Sequence, residues 1–333
     1  MMTGAIRTID IVGRRRTPLE LSMRNSPFGG TVRSPPVERP AGLLGRARRL
    51  LLLIHGFNVT LCAAGCSYDK FQANLSLAWN SRSMSVYWPG DAETGAQGFL
   101  GRILSRSRSV ASYPAQIERA KQSARVLAKY IAKARPQVGG TPKPPLELSI
   151  VAHSLGCRLA LQLLQQLQML QAANILSIRL VVLMAAAVPV YLLRPNRELR
   201  DGLEASDRVL VYYSAEDKVL STAFRPGQSV EVPFPYGWVA KERHALGRFG
   251  LSRDVPRNVE QIQTNHDHGG YWPDDEIAQR VAMELDDGIV KGDLFRPLQL
   301  RRLPAKRTII LRDLTRRSLG STAVGLRAKC GAC

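Results

Sequence analysis

The segment Ala152-His153-Ser154-Leu155-Gly156 carries the strongest chemical signal in the 333-residue chain. It joins an apolar run of β type, Leu146 to Ala152, to an amphipathic helical run reaching Gln171. A chain that turns this sharply needs small residues two before and two after the serine, and Ala152 and Gly156 meet that need. Such a turn lifts the Ser154 hydroxyl to the C-terminal edge of a sheet, above a helix N-terminus. Unpaired N–H groups there can stabilise an oxyanion. Further along, Asp217 follows an apolar strand, and His266 and His268 precede a C-terminal helix. A hydroxyl, a carboxylate and an imidazole are the groups of covalent acyl transfer. Each also has a plainer reading. Ser154 could cap its helix, Asp217 could be a solvated loop charge, and His266-Asp267-His268 could hold a metal. No strong cluster of further ligands accompanies the two histidines, so no metal is expected.

Elements that could position these groups alternate along the chain. Leu50–Gly56, Ser83–Gly90, Leu146–Ala152, Arg179–Ala187 and Arg208–Ser214 read as strands. Gln116–Ala134, Gly156–Gln171 and Ile277–Leu285 read as helices. Strands apolar on both faces and separated by helices imply a sheet covered on both sides. The expected fold class is α/β, doubly wound, with a mostly parallel sheet and helices on both faces. About twenty residues separate the strand at 179–187 from Arg208, too few for a large cap domain. Three regions are expected: a flexible basic leader at 1–46, a catalytic domain at 47–290 and a basic extension at 291–333. The leader includes NSPFGGTVRSPPVERP, whose prolines and glycines argue against a regular element.

Ala152-His153-Ser154-Leu155-Gly156, set between strand and helix, resembles the G-x-S-x-G nucleophile elbow of α/β-hydrolases, with Ala replacing the first Gly. The resemblance covers about residues 50–285, lies toward the esterase and lipase-like branch, and implies a role for each candidate. His55-Gly56 resembles the family's oxyanion loop, so the N–H groups of Phe57 and Leu155 would hold the oxyanion. Phe57 and Asn58 would line the pocket, and His55 would brace the loop. Asp217 occupies the position of the triad acid, with Glu216 as the neighbouring substitute. His268, followed by Gly269-Gly270-Tyr271-Trp272, fits the catalytic base better than His266. His153 is expected to pack away from the site. The order Ser154, Asp217, His268 is the chain order of this family. The resemblance implies a serine hydrolase acting on a small ester or lipid-like substrate, with no cofactor. The alternative is a non-catalytic relative that binds through its basic ends. Phe224, Phe234, Pro235, Tyr236 and Trp238 are candidates for an apolar rim over the site.

The net charge of +20 is concentrated at the ends. Residues 1–49 hold ten Arg against three acids, and residues 291–333 hold eleven Lys or Arg against two. Contact with an anionic surface through these ends is the partner reading that the charge suggests, particularly over 298–320. No nucleic-acid-binding motif accompanies the charge. No run of 18 or more uncharged apolar residues suggests a transmembrane helix, and the first residues lack a signal-peptide core. A cytoplasmic location is therefore expected, with an Arg-rich transit peptide as the alternative. Cys62, Cys66, Cys330 and Cys333 could form a zinc site only if the terminus folded back; free thiols are expected instead. Cys157 is expected to pack as a small hydrophobe.

Overall fold

In a computed structural model of the chain, the described residues are 18–26, 30–75, 79, 82–91, 99–134, 145–222, 224 and 244–293. Their strands are β1 (Leu19–Arg24), β2 (Val32–Arg39), β3 (Arg49–Ile54), β4 (Ser83–Tyr87), β5 (Leu146–His153), β6 (Leu176–Met184), β7 (Arg208–Tyr213) and β8 (Val259–Gln263). They form one sheet in the order β2-β1-β4-β3-β5-β6-β7-β8. Only the β1–β2 pair is antiparallel. Helices include α1 (Leu43–Arg46), α2 (Leu61–Asn74), α3 (Phe99–Ala134), α4 (Leu155–Met169), α5 (Arg200–Glu204), α6 (Lys218–Thr222), α7 (Leu246–Phe249) and α8 (Asp275–Asp293). The expected doubly wound, mostly parallel α/β class is what the chain forms, and no cap domain occurs among the described residues.

The central strands are apolar because both of their faces are covered. Leu50 to Ile54 of β3 are essentially inaccessible, as are Ile150 to Ala152 of β5 and Val181 to Met184 of β6. The register aligns their C-terminal ends. Ile54 pairs with Ala152, and His153 pairs with Met184. The residues that leave β3 and β5 therefore emerge side by side on one edge of the sheet.

The expected leader at 1–46 is corrected by β1 and β2. Leu21 and Met23 are wholly buried in the core, with Val32 nearly so. Ser34, Pro35 and Pro36 lie where the β1–β2 register shifts, between the pairs Ser22–Val37 and Arg24–Val32. Strand β2 is at the sheet edge, where a missing N–H costs no ladder bond to a further strand. Proline content therefore excludes a central strand here but not an edge strand. Glu38 of β2 is also buried and accepts hydrogen bonds from the N–H groups of Gly42 and Leu44. Strand β8 was likewise not foreseen. Its half-buried sequence VEQIQ has no apolar run, and Glu260 is held by Arg208 and Arg280.

The chain divides into two compact units, 1–285 and 286–333. The basic segment 298–320 lies outside the described residues, as do Phe234, Pro235, Tyr236, Trp238 and the Cys330–Cys333 pair. Phe224 is described, and it is buried in the core rather than exposed on a rim. Cys66 and Cys157 are in the thiol form, whereas Cys62 is disulfide-bonded, against the expectation. No helix among the described residues is long and apolar enough to cross a membrane.

Deleting residues 1–40 tests whether this stretch is structural. The expected outcome is loss of soluble, monodisperse protein in size-exclusion chromatography, because the cut removes two strands and uncovers the edge of β4. A dispensable leader would leave solubility and thermal midpoint unchanged.

Candidate active site

Ser154 sits between β5 and α4 with φ 53° and ψ −125°. This conformation is costly for a residue with a β-carbon, on the order of 1–3 kcal/mol. Three backbone hydrogen bonds hold it. The Ser154 N–H donates to the Met184 carbonyl at 2.9 Å, while the Ser154 carbonyl accepts from Cys157 and Ala187 at 3.1 Å each. The serine side chain makes no capping bond to its own helix, so the reading of Ser154 as a simple N-cap does not describe it.

Two glycines allow the loop after β3 to approach this turn. A β-carbon on Gly156 would lie 2.4 Å from the His55 carbonyl oxygen, and one on Gly56 would lie 2.8 Å from the Ser154 β-carbon. Neither position has room for a side chain. Ala152, in place of the family's first glycine, is fully buried at the end of β5.

The Ser154 hydroxyl lies 2.9 Å from His268 Nε2. His268 Nδ1 lies 2.7 Å from Asp217 Oδ2. An Nδ1–H donor to the carboxylate leaves Nε2 free to accept the serine proton. Asp217 is completely buried, and its other oxygen accepts the Leu220 N–H at 2.8 Å. The structure thus brings together three groups that lie 114 and 51 positions apart in sequence. Glu216, the alternative acid, is exposed, and its backbone N–H donates to Ser214 Oγ at 3.1 Å. His266 pairs instead with Asp274 at 2.6 Å, and Asp274 caps α8 through the Ile277 N–H. The two histidines therefore diverge. Among the described residues, no group of three or more His, Cys, Asp or Glu is arranged to hold a metal.

Leu155 is the first residue of α4, so its N–H has no intrahelical acceptor. Phe57 follows Gly56 on the facing loop and is half-buried against the core. Asn58 lies on the exposed turn beyond, at φ 56°, with its N–H donated to the Gly90 carbonyl at 2.8 Å. A cavity of about 520 Å³ is lined by Val190, Tyr191, His244, Leu251 and their neighbours. Neither Asn58 nor any of Ser154, Asp217 and His268 lines it.

Sequence reasoning missed two groups that hold His268. Buried His153 donates its Nε2–H to the His268 carbonyl at 2.7 Å, with the two ring centroids 4.9 Å apart. It does pack, as expected, but against the site. Exposed Asp267 accepts the His268 N–H at 2.9 Å and the Lys218 N–H at 3.2 Å with one oxygen. These two donors lower the Asp267 pKa. Asp267 thereby ties the histidine loop to the turn carrying Asp217. The imidazole beside the elbow was a visible signal, but its direction depends on the turn.

His55 braces its loop. Its Nδ1 lies 2.9 Å from the Gly56 carbonyl, and its ring stacks on Trp88 at 5.6 Å. Burial pushes the His55 pKa down to about 4. Burial, followed by the field of His268, pushes His153 down to about 3. Cys157 packs under the turn, its thiol directed at the carbonyls of Ala152 and Met184, and burial raises its pKa.

Residues 44–231 match a family described as "Alpha/beta hydrolase of unknown function (DUF900)". The matched stretch includes Phe57, Ser154 and Asp217 and ends before His268. A lipase-esterase related protein from Clostridium acetobutylicum shares 12% identity, over 73% of this chain and 95% of that one, with TM-score 0.35. An esterase from Pyrobaculum calidifontis shares 14% identity, over 77% of this chain and 80% of that one, also at 0.35. An α/β serine hydrolase without lid from Xanthomonas campestris shares 10%, over 87% and 94%, at 0.36. No curated protein matches in sequence.

Two buried neutral histidines predict a definite acid response. The folded pKa values, about 4 for His55 and about 3 for His153, lie below the ordinary value of 6.5. The unfolded chain therefore binds more protons between these limits, and stability rises with pH there. Their contribution is complete above about 6.5 and is lost progressively toward pH 3–4. Urea unfolding from pH 7.5 down to about 4 should show midpoints falling with acidity, more shallowly in His153→Gln. An equal slope in that variant would contradict the assignment.

Proposed function

The chain belongs to this α/β-hydrolase family, and from that premise we propose that it is a serine hydrolase cleaving a carboxylic ester through an acyl-enzyme. The observation that carries the proposal is the continuous hydrogen-bonded line from the Ser154 hydroxyl through His268 to buried Asp217. A solvated loop charge would have no reason to be wholly desolvated beside an imidazole.

In the proposed reaction, His268 Nε2 takes the hydroxyl proton as Ser154 Oγ attacks the acyl carbonyl. Asp217 holds the imidazole in its reactive tautomer and stabilises the imidazolium. The N–H groups of Phe57 and Leu155 receive the negative oxygen of the tetrahedral intermediate. His268 then gives its proton to the departing alcohol, leaving Ser154 acylated. Water enters, gives a proton to the same nitrogen and attacks the acyl group. Collapse of the second intermediate returns the proton to Ser154 Oγ and releases the acid. The substrate class proposed is a small ester or lipid-like acyl ester, and the reaction needs no cofactor. Half-buried Phe57 supplies apolar surface next to the elbow, in keeping with an acyl group.

A panel of chromogenic esters of increasing acyl length, assayed with the wild type, Ser154→Ala and His268→Gln, tests this reading. The wild type is expected to turn over at least one chain length. Each variant is expected to lose on the order of 10⁴–10⁶ in kcat, since members of such a unit fail together. Retained turnover in Ser154→Ala would overturn it.

A further inference from the structure

The site rests on a second polar device, placed where the N-terminal strands meet the oxyanion loop. Arg24, at the end of β1, is buried, as is Asp91 in the loop after β4. Arg24 Nη2 donates to both Asp91 carboxylate oxygens, at 2.7 and 2.8 Å. Its Nη1 donates to the Trp88 carbonyl at 3.1 Å, and its Nε to the Ser26 carbonyl at 3.2 Å. A buried ion pair has a large desolvation cost and is weak evidence for stability alone. What it does fix is the position of the Trp88–Asp91 segment.

That segment holds the oxyanion loop at several points. The Trp88 indole N–H donates to the His55 carbonyl at 2.8 Å, and the Trp88 backbone N–H donates to His55 Nε2 at 3.4 Å. With Nε2 accepting, the ring proton of neutral His55 resides on Nδ1, which donates to the Gly56 carbonyl at 2.9 Å. The Gly56 carbonyl and the Phe57 N–H belong to one planar peptide and point in opposite directions. Fixing that oxygen fixes the direction of the N–H. The next peptide is pinned by the Asn58 N–H, which donates to the Gly90 carbonyl.

We propose that Arg24 and Asp91 form a positioning pair that aims the Phe57 N–H at the developing oxyanion, acting through Trp88 and His55. The proposal rests on the serine-hydrolase reading given above, and it assigns the N-terminal strand pair a role in function as well as in packing. Neither residue touches the reacting atoms. Their effect is on the transition state, where the oxyanion forms, and not on ground-state binding.

The double variant Arg24→Met/Asp91→Asn removes both charges without stranding either one in the interior. Arg24→Lys keeps a cation beside Asp91 but loses the fork that also reaches Trp88. In the full chain, amide hydrogen exchange is followed in peptides covering 55–60 and 264–271. In the double variant, exchange at 55–60 should rise about ten-fold, the scale of one or two net hydrogen bonds lost. Exchange at 264–271 should stay unchanged. On whichever ester the wild type hydrolyses, kcat should fall roughly ten-fold or more, toward the 10²–10³ of a lost oxyanion donor. KM and the pH midpoint of kcat/KM should hold, because His268 and Asp217 are untouched. Arg24→Lys should show the same pattern at smaller size, and it serves alone if the double variant does not fold. Unchanged exchange at 55–60 overturns the proposal, as does an activity loss carried by KM. If no ester is hydrolysed by the wild type, the hydrolase reading fails, while the exchange measurement still decides whether the pair braces the loop.

Discussion

The rest of the site depends on one close approach of two backbones, where the loop leaving β3 passes over the turn leaving β5. Parallel pairing of Ile54 with Ala152 brings the two strand ends level. Gly56 and Gly156 then let the chains meet at distances that no β-carbon could enter. Ser154 takes up its costly conformation against this contact, and neighbouring backbone groups hold it there. Strain, close approach and helix N-terminus are thus one feature. The same turn that strains the serine backbone sets its hydroxyl against His268 and leaves the first amide of α4 without an intrahelical acceptor beside it.

Around that contact the polar groups are arranged so that charge is confined. Asp217 is wholly buried, and each of its oxygens is hydrogen-bonded. The two histidines nearest the turn, His55 and His153, are held neutral by burial, so neither adds a fixed positive charge beside His268. His153 holds the His268 backbone in place through the carbonyl, and Asp267 does so through the N–H. The His268 imidazole is therefore constrained from its backbone as well as through its ring. Arg24, Asp91 and Trp88 constrain the loop that carries Phe57. A site assembled from loops of several strands gains its rigidity from such supporting contacts.

How much of this was legible in the sequence follows from burial. The strands β3, β5, β6 and β7 read as apolar runs because helices cover both of their faces. The edge strands β2 and β8 carry no such signature. Residues 32–39 contain two prolines and three charged residues, yet they form β2, since an edge strand needs only one row of hydrogen bonds. Glu260 of β8 points to partners on β7 and α8 that no local pattern announces. In the site, Ser154 was legible because its turn imposes local size limits. Asp217 and His268 were placed by chain order and by their positions after a strand and before a helix. The Gly-Gly-Tyr-Trp run after His268 favours it over His266 in the sequence. The physical reason appears only in the fold, where Asp274 pairs with His266. The roles of His153 and Arg24 are products of side-chain direction and strand pairing, which appear only once the sheet is assembled.

The central claim is that the Ser154 hydroxyl is made nucleophilic by the imidazole behind it. The most direct measurement is covalent labelling by a fluorophosphonate, with the modified peptide identified by mass spectrometry. The account predicts one adduct, on Ser154, forming fast in the wild type and far more slowly in Asp217→Asn, where the imidazole loses its orienting anion. An adduct elsewhere, or a Ser154 that reacts at the same rate without the carboxylate, would contradict it.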